Sequence, residues 1–411
     1  MRILGIPVLL YLGLCLFNCS THPAKTSSAG TGESKTNPIA TAAEQTELYI
    51  EYLKDKRVAI LANPTSVIGQ THLVDSLVKR GINIVKAFGP EHGFRGNASN
   101  GAHIADERDS ATGIEIISLY GKKRKPSASD LENVDLVIFD IQDVGCRFYT
   151  YINVLRDVME ACAEHGKELM ILDRPNPNGY LVDGPVLDMK LKSGIGQFPI
   201  PIAHGMTIAE FAQMINGEGW LPEKRKCALK IIRVKNYSHD LVYTLPVKPS
   251  PNLNTQQSIL LYPSTCLFEG TRLNHGRGTQ FPFTILGSPK LKGEYDFSYT
   301  PVSIPGMSES PLYMNKLCYG LDLRNYPVET LRESGKINLA WMMELYKAYP
   351  DKALFFDRSE SAQIGNIDFL AGDARFKNQI AAGMSEEAIR ATWEPGLSAY
   401  KEMRKQYLLY P

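Results

Sequence analysis

Apolar runs, broken only by Lys86, recur along the first half of the chain, and each ends in a polar turn. Val58-Ala59-Ile60-Leu61-Ala62 runs into Asn63, and Ile84-Val85-Lys86-Ala87-Phe88 runs into Gly89-Pro90. Leu136-Val137-Ile138-Phe139 ends at Asp140, and Leu169-Met170-Ile171-Leu172 ends at Asp173. Runs without polar alternation read as strands buried on both faces, which is the signature of a parallel sheet. A helical stretch from Thr71 to Arg80 separates the first two, and another from Tyr151 to His165 separates the last two. That alternation gives βαβ units. Residues 47–262 therefore read as a Rossmann-like, doubly wound α/β domain. Beyond Tyr262 the pattern breaks into short mixed segments and arginine-bearing loops, with helices expected near Leu339–Ala348 and Glu386–Gln406. Residues 263–411 read as a smaller α+β domain.

The N-terminus has a different pattern. Met1-Arg2 is a short basic start, and Ile3 to Phe17 is an uncharged apolar run. It is shorter than a permanent membrane span and suits the core of an export signal. Cys19 follows after Asn18, as in the lipobox of a bacterial lipoprotein, where the Cys is acylated. Phe17 and Asn18 are bulkier than the residues usual there. The sequence thus predicts a signal peptide over 1–19 with lipidation at Cys19, then a disordered tether over 20–46 rich in Ser, Thr, Ala and Gly. An exported protein is expected, anchored to a membrane by lipid and facing the periplasm or associated with the outer membrane. An ordinary cleaved secretory signal is the alternative.

Composition narrows the partners. The 411 residues carry 45 Lys and Arg against 44 Asp and Glu, a net charge of +1. A nucleic-acid partner would call for a basic excess, so none is expected. Any anion must be held by individually placed arginines. The seven cysteines are scattered with no CxxC pair, and HExxH, GxSxG and Walker A patterns do not occur. The turn after the first strand is Asn63-Pro64-Thr65-Ser66 rather than a glycine-rich dinucleotide loop. No cofactor and no metal are expected.

Polar residues gather where the predicted strands end: Asn63, Glu91 with His92, Asp140 with Asp143, and Asp173-Arg174-Pro175-Asn176. Ligands of open α/β sheets bind at those carboxyl ends. Each residue alone could be a turn former or helix cap. Glu91 is the sharper candidate, set between Gly89 and Gly93 beside aromatic residues, where a raised pKa would suit a general acid. It could equally fix its loop by bonding local backbone. Downstream, Arg147, Tyr149 and Tyr151 offer a guanidinium and aromatic faces suited to a sugar or small anion, or simply to core packing.

Nine motifs in order carry a resemblance to a known family. They are Ala62-Asn63-Pro64-Thr65, Phe88-Gly89-Pro90-Glu91-His92-Gly93-Phe94-Arg95-Gly96, Ser118-Leu119-Tyr120-Gly121, and Phe139-Asp140-Ile141-Gln142-Asp143-Val144-Gly145 leading to Arg147-Phe148-Tyr149-Thr150-Tyr151. Then follow Asp173-Arg174-Pro175-Asn176-Pro177, His204-Gly205-Met206-Thr207, Pro249-Ser250-Pro251-Asn252, Glu269-Gly270-Thr271 and Gly276-Arg277-Gly278-Thr279. The chain resembles the NamZ-type exo-β-N-acetylmuramidases from about residue 48 to its C-terminus. The resemblance implies release of N-acetylmuramic acid from the non-reducing end of peptidoglycan fragments, in a cleft that the C-terminal domain closes. It implies Glu91 as the catalytic glutamate. From the residues themselves, His92, Asp140 and Asp143 are further catalytic candidates. Asp173 and Glu269 also qualify as a second carboxyl group. Arg95, Arg147 and Arg277 are candidates for the lactyl carboxylate. Asn63, Tyr149, Tyr151, Arg174, Asn176, His204 and Asn252 are further substrate-binding candidates. A non-catalytic peptidoglycan-binding lipoprotein, a β-N-acetylglucosaminidase, or an amidase or deacetylase of the same polymer would share many of these features.

Overall fold

In the computed structural model, residues 38–96, 107–357 and 366–411 are described. The apolar runs form the centre of the molecule. β1 (Val58–Ala62), β2 (Ile84–Gly89), β3 (Glu107–Arg108), β4 (Glu115–Ser118), β5 (Leu136–Asp140), β6 (Glu168–Leu172) and β7 (Ala228–Ile232) make one sheet in the order β7-β6-β5-β1-β2-β4-β3. Six strands are parallel, and the short β3 pairs antiparallel at one edge. Leu61 sits level with Phe88 on one side and Phe139 on the other. Alternate residues point to opposite faces. Val58, Ile60, Ala62, Leu136 and Ile138 belong to one core, while Ala59, Leu61, Val137 and Phe139 belong to another. Covering both faces with apolar side chains is what an all-parallel arrangement requires.

The expected helices are present, with shifted ends. α1 (Leu73–Lys79) starts late because Thr71-His72 pairs with Val67-Ile68 in a small hairpin. α2 spans Tyr151–Glu164. α3 (Ile208–Gly217) is opened by a capping box in which Thr207 and Glu210 each bond the other's backbone N–H. The stretch expected as one helix over 386–406 is two, Glu386–Ala391 and Glu394–Lys405, because Pro395 suits a first turn but not an interior.

Three strands of this sheet lie outside the apolar-run pattern, the two-residue β3 among them. β4 is short, and β7 is a half-exposed edge strand carrying Lys230. The C-terminal portion holds a three-stranded antiparallel sheet (Ile285–Ser288, Cys318–Asp322, Ser298–Tyr299) among short helices. Residues 38–411 nevertheless form one compact unit. The larger core runs from Leu61 and Phe139 through Tyr262 and Phe283 to Leu345 and Tyr400 without a break. The expected boundary at 262/263 falls inside α4 (Gln256–Thr265), whose residues 258–265 are all buried.

The expected tether over 20–46 needs correction at its end. Ala42 and Ala43 are fully buried, Ala40 bridges Lys235, and Tyr49 hydroxyl donates to the Ala43 carbonyl. Small side chains here let backbone pack closely instead of keeping it loose. The signal peptide, Cys19 and the remainder of the tether lie outside the described residues.

Candidate active site

The chain runs from β1 to β2 on one side and later places β5 on β1's other side. Strand order reverses at this point, so the carboxyl ends of β1 and β5 diverge into a crevice. The polar residues at the strand ends divide into those that build the crevice floor and those that face a cavity above it.

Most of the floor is internal structure. Asn63 Oδ1 accepts from the Thr65 backbone N–H at 2.9 Å and from the Thr65 hydroxyl, fixing the turn after β1. Asp140 is fully buried in a bidentate pair with Arg174, at 2.6 and 2.9 Å. Burial pushes the Asp140 carboxyl up, against the pull of Arg174. Asp173 accepts from the Ala209 N–H at 3.0 Å, at the start of α3, and from the Tyr410 hydroxyl at 2.6 Å. Burial raises its carboxyl to about 7. Asn176 donates to the Met206 carbonyl and accepts from the Asn178 N–H. Asp143 Oδ2 accepts from the Gly145 N–H at 2.6 Å, and His204 Nε2 stands 3.4 Å from the same oxygen. His204 Nδ1 in turn accepts from the Met206 N–H at 3.3 Å.

Two of the three candidate arginines are also internal. Arg147 is fully buried and donates to four carbonyls, those of Pro185, Ile200, Leu370 and Ala371, at 2.7–2.9 Å. With no carboxylate beside it, burial depresses its guanidinium to about 9. Arg95 pairs with Asp75 and Asp109 at 2.7–3.0 Å. Neither lines the cavity. Asn63, Asp140, Asp143, Asp173, Arg174, Asn176 and His204 do not line it either.

The cavity encloses about 210 Å³. Glu91 and His92, from the loop after β2, form one wall. Tyr149, Thr150 and Tyr151 lead into α2, while Asn252, Glu269 and Arg277 come from later loops. Seven sequence candidates, separated by up to 186 positions (Glu91 to Arg277), thus meet: Glu91, His92, Tyr149, Tyr151, Asn252, Glu269 and Arg277. Tyr151 donates to the Glu91 carbonyl at 3.3 Å, tying the Glu91 loop to α2. Tyr149 donates to the Pro249 carbonyl at 2.8 Å. Rings of Tyr149, Tyr262 and Phe283 meet edge to face at 4.8–6.1 Å between centroids and give the cavity apolar surface.

Arg277 is held at the tip of a turn by its neighbours. Gly276 and Gly278 both have positive φ, and a Cβ on Gly276 would strike the Phe281 carbonyl. Asn274 receives the Gly276 N–H at 2.8 Å and donates to the Arg277 carbonyl at 3.0 Å. From that turn, Arg277 Nη2 bonds Glu269 Oε1 at 2.8 Å, and its Nε bonds His275 Nε2 at 3.0 Å. Burial alone would raise the Glu269 carboxyl. Arg277 and His275 together outweigh it and hold the group at about 2.

The residue reading missed three contributors. Tyr120 hydrogen-bonds Glu91, and burial together with that carboxylate raises its phenol to about 12. It lies in the Ser118-Leu119-Tyr120-Gly121 motif, which was its only signal. Tyr262 and Phe283 line the cavity but look like core positions in sequence.

Comparisons with known proteins identify the family. The N-terminal profile of the exo-β-N-acetylmuramidase NamZ matches residues 58–257, and the C-terminal profile matches residues 260–410. The chain belongs to the NamZ family. A relative described as peptidoglycan β-N-acetylmuramidase NamZ, from Bacillus subtilis (strain 168), is 37% identical over 381 residues, covering 88% of this chain and 89% of that protein. A crystal structure of a DUF1343 family protein from Bacteroides fragilis NCTC 9343 superposes with a TM-score of 0.83 at 45% identity, covering 91% of this chain and 99% of that one. A second such protein from the same organism gives 0.77 at 28% identity, with the same coverage. The NamZ family's two matched segments meet near residues 257–260, and the cavity draws Glu91, Tyr149 and Asn252 from one and Glu269 and Arg277 from the other.

Proposed function

We propose that this protein is an exo-acting glycosidase that releases N-acetylmuramic acid from the non-reducing ends of peptidoglycan fragments, with Glu91 as its general acid. Family membership and the activity named for the Bacillus subtilis relative support a muramidase. The observation that carries the substrate reading is Arg277. It is the one Lys or Arg among the described residues lining the cavity. Muramic acid differs from N-acetylglucosamine by a lactyl ether, whose carboxylate needs a cation. A guanidinium forks a carboxylate well.

Other contacts fit the rest of the sugar. Asn252 gives its amide N–H to the Met307 carbonyl at 2.8 Å, while its buried Oδ1 has no partner and can accept from an acetamido N–H. The rings of Tyr149, Tyr262 and Phe283 offer surface to the apolar face of a pyranose. A cavity of about 210 Å³ suits one terminal sugar better than the interior of a long strand. Glu91 would protonate the departing glycosidic oxygen.

Mass spectrometry of muramic-acid-terminated fragments after incubation tests this reading. Free N-acetylmuramic acid and a fragment one sugar shorter are expected. Products of internal cleavage, or products undiminished by Glu91→Gln, would contradict it.

We also propose that the chain is exported and acylated at Cys19, on the basic start, apolar run and cysteine described above. Among the described residues no helix is long and apolar enough to cross a membrane. Incorporation of a lipid precursor should occur in the native chain and vanish in Cys19→Ala. A native chain that takes up no label would rule acylation out.

A further inference from the structure

Glycosidic hydrolysis normally runs through a cationic centre flanked by two carboxyl groups. Glu91 supplies one, and four others qualify from sequence: Asp140, Asp143, Asp173 and Glu269. The structure separates them. Asp140 spends both oxygens on Arg174, and Asp173 spends its own on Ala209 and Tyr410. Asp143 is buried and does not line the cavity. Glu269 shares the cavity with Glu91, partly open to it.

We propose that Glu269 is the catalytic nucleophile, facing the anomeric carbon on the side opposite the leaving group. This rests on the muramidase reading above. Three further observations support it. The carboxylate is aimed by Arg277, which bonds Oε1 at 2.8 Å and is itself held in place by donating its Nε–H to His275 Nε2 at 3.0 Å. Its backbone is fixed: it sits in the short helical turn Cys266–Gly270, and a Cβ on Gly270 would strike the backbone of Ile367. Preorganisation of this kind is what a reacting group needs. Finally, a carboxylate held ionised so firmly is a poor proton acceptor and a good leaving group. Those properties suit a nucleophile rather than a general base.

The two steps balance as follows. In the first, Glu91 gives its proton to the glycosidic oxygen, the C1–O bond breaks with its electron pair going to that oxygen, and a Glu269 oxygen bonds C1. In the second, Glu91, now a carboxylate, takes a proton from water. The water oxygen bonds C1, and the C1–Glu269 bond breaks with its pair returning to the carboxylate. The net change is hydrolysis with retained β configuration at C1.

The test compares native protein, Glu269→Ala and Glu269→Gln on a β-N-acetylmuramide with an activated leaving group, with and without sodium azide. Turnover is expected to fall roughly 1000-fold or more in both variants, with KM within a few-fold of native. Azide should restore turnover in Glu269→Ala and give the α-glycosyl azide by NMR, because the small anion enters from the vacated face. If the alanine variant does not fold, Glu269→Gln, which keeps the side chain's shape, must still show the loss. Near-native turnover in Glu269→Gln, a β-glycosyl azide, or no rescue of a folded Glu269→Ala would overturn the assignment. Native activity separates this failure from that of the muramidase reading. If the native protein leaves the glycoside intact, that reading falls and takes the assignment with it.

Discussion

Arg277 and Glu269 are joined at 2.8 Å on the wall of the cavity that also holds Glu91. The pair does two things at once. It keeps a carboxylate ionised where burial would protonate it, and it leaves a guanidinium edge toward the space a sugar would fill. The same chain buries another arginine of the motif series, Arg147, among four carbonyls where no substrate reaches it.

Loss of Arg277 should therefore cost discrimination. A charge-assisted hydrogen bond is worth about 1.5–3 kcal/mol, so Arg277→Ala should lower kcat/KM for the muramic glycoside roughly 10- to 150-fold more than for the N-acetylglucosamine glycoside. Measured specificity ratios on matched substrates check this. An unchanged ratio would remove Arg277 from lactyl recognition.

Asp140 should behave as part of the fold. Breaking a buried ion pair leaves an uncompensated charge and costs about 3–5 kcal/mol. Asp140→Asn is expected to lower the midpoint of thermal or urea unfolding by a corresponding amount. Folded protein at low temperature should keep kcat within a few-fold of native. A large kcat loss at native stability would place Asp140 in the chemistry instead.

Asp173 makes a pH-dependent contribution with a definite sign. Its folded-state pKa is about 7 because burial disfavours the charged form. The unfolded value is about 4. A carboxyl whose folded pKa is raised favours the fold at and below pH 4, and that contribution is lost as pH climbs toward 7. Asp173→Asn should flatten the fall in unfolding temperature between pH 4 and pH 8. A variant that follows the native curve would show that Asp173 does not titrate there.

The legible parts of the fold are those with a strong local signature. Val58–Ala62 and Leu136–Asp140 announce themselves because both faces are buried, so no polar residue interrupts them. Ala228–Ile232 does not, because an edge strand half open to solvent can carry Lys230. Ala40–Ala43 reads as linker because small residues suit loose and tightly packed backbone alike; only the partner at Lys235 decides. The site follows the same logic. Motifs identify Glu91, Arg147 and Arg277 as notable, but residue type does not say which way a side chain points. Arg277 is aimed by the glycines around it, and Arg147 by carbonyls 38 to 224 residues away. His204-Gly205-Met206-Thr207 reads as chemistry and in large part opens α3 through Thr207.

The most direct test of the whole account is release of chromophore from two matched β-glycosides, of N-acetylmuramic acid and of N-acetylglucosamine, by native protein and Glu91→Gln. Cleavage of the muramic glycoside alone, abolished in the variant, is the predicted result. Cleavage of neither glycoside, equal cleavage of both, or activity that survives Glu91→Gln would contradict it.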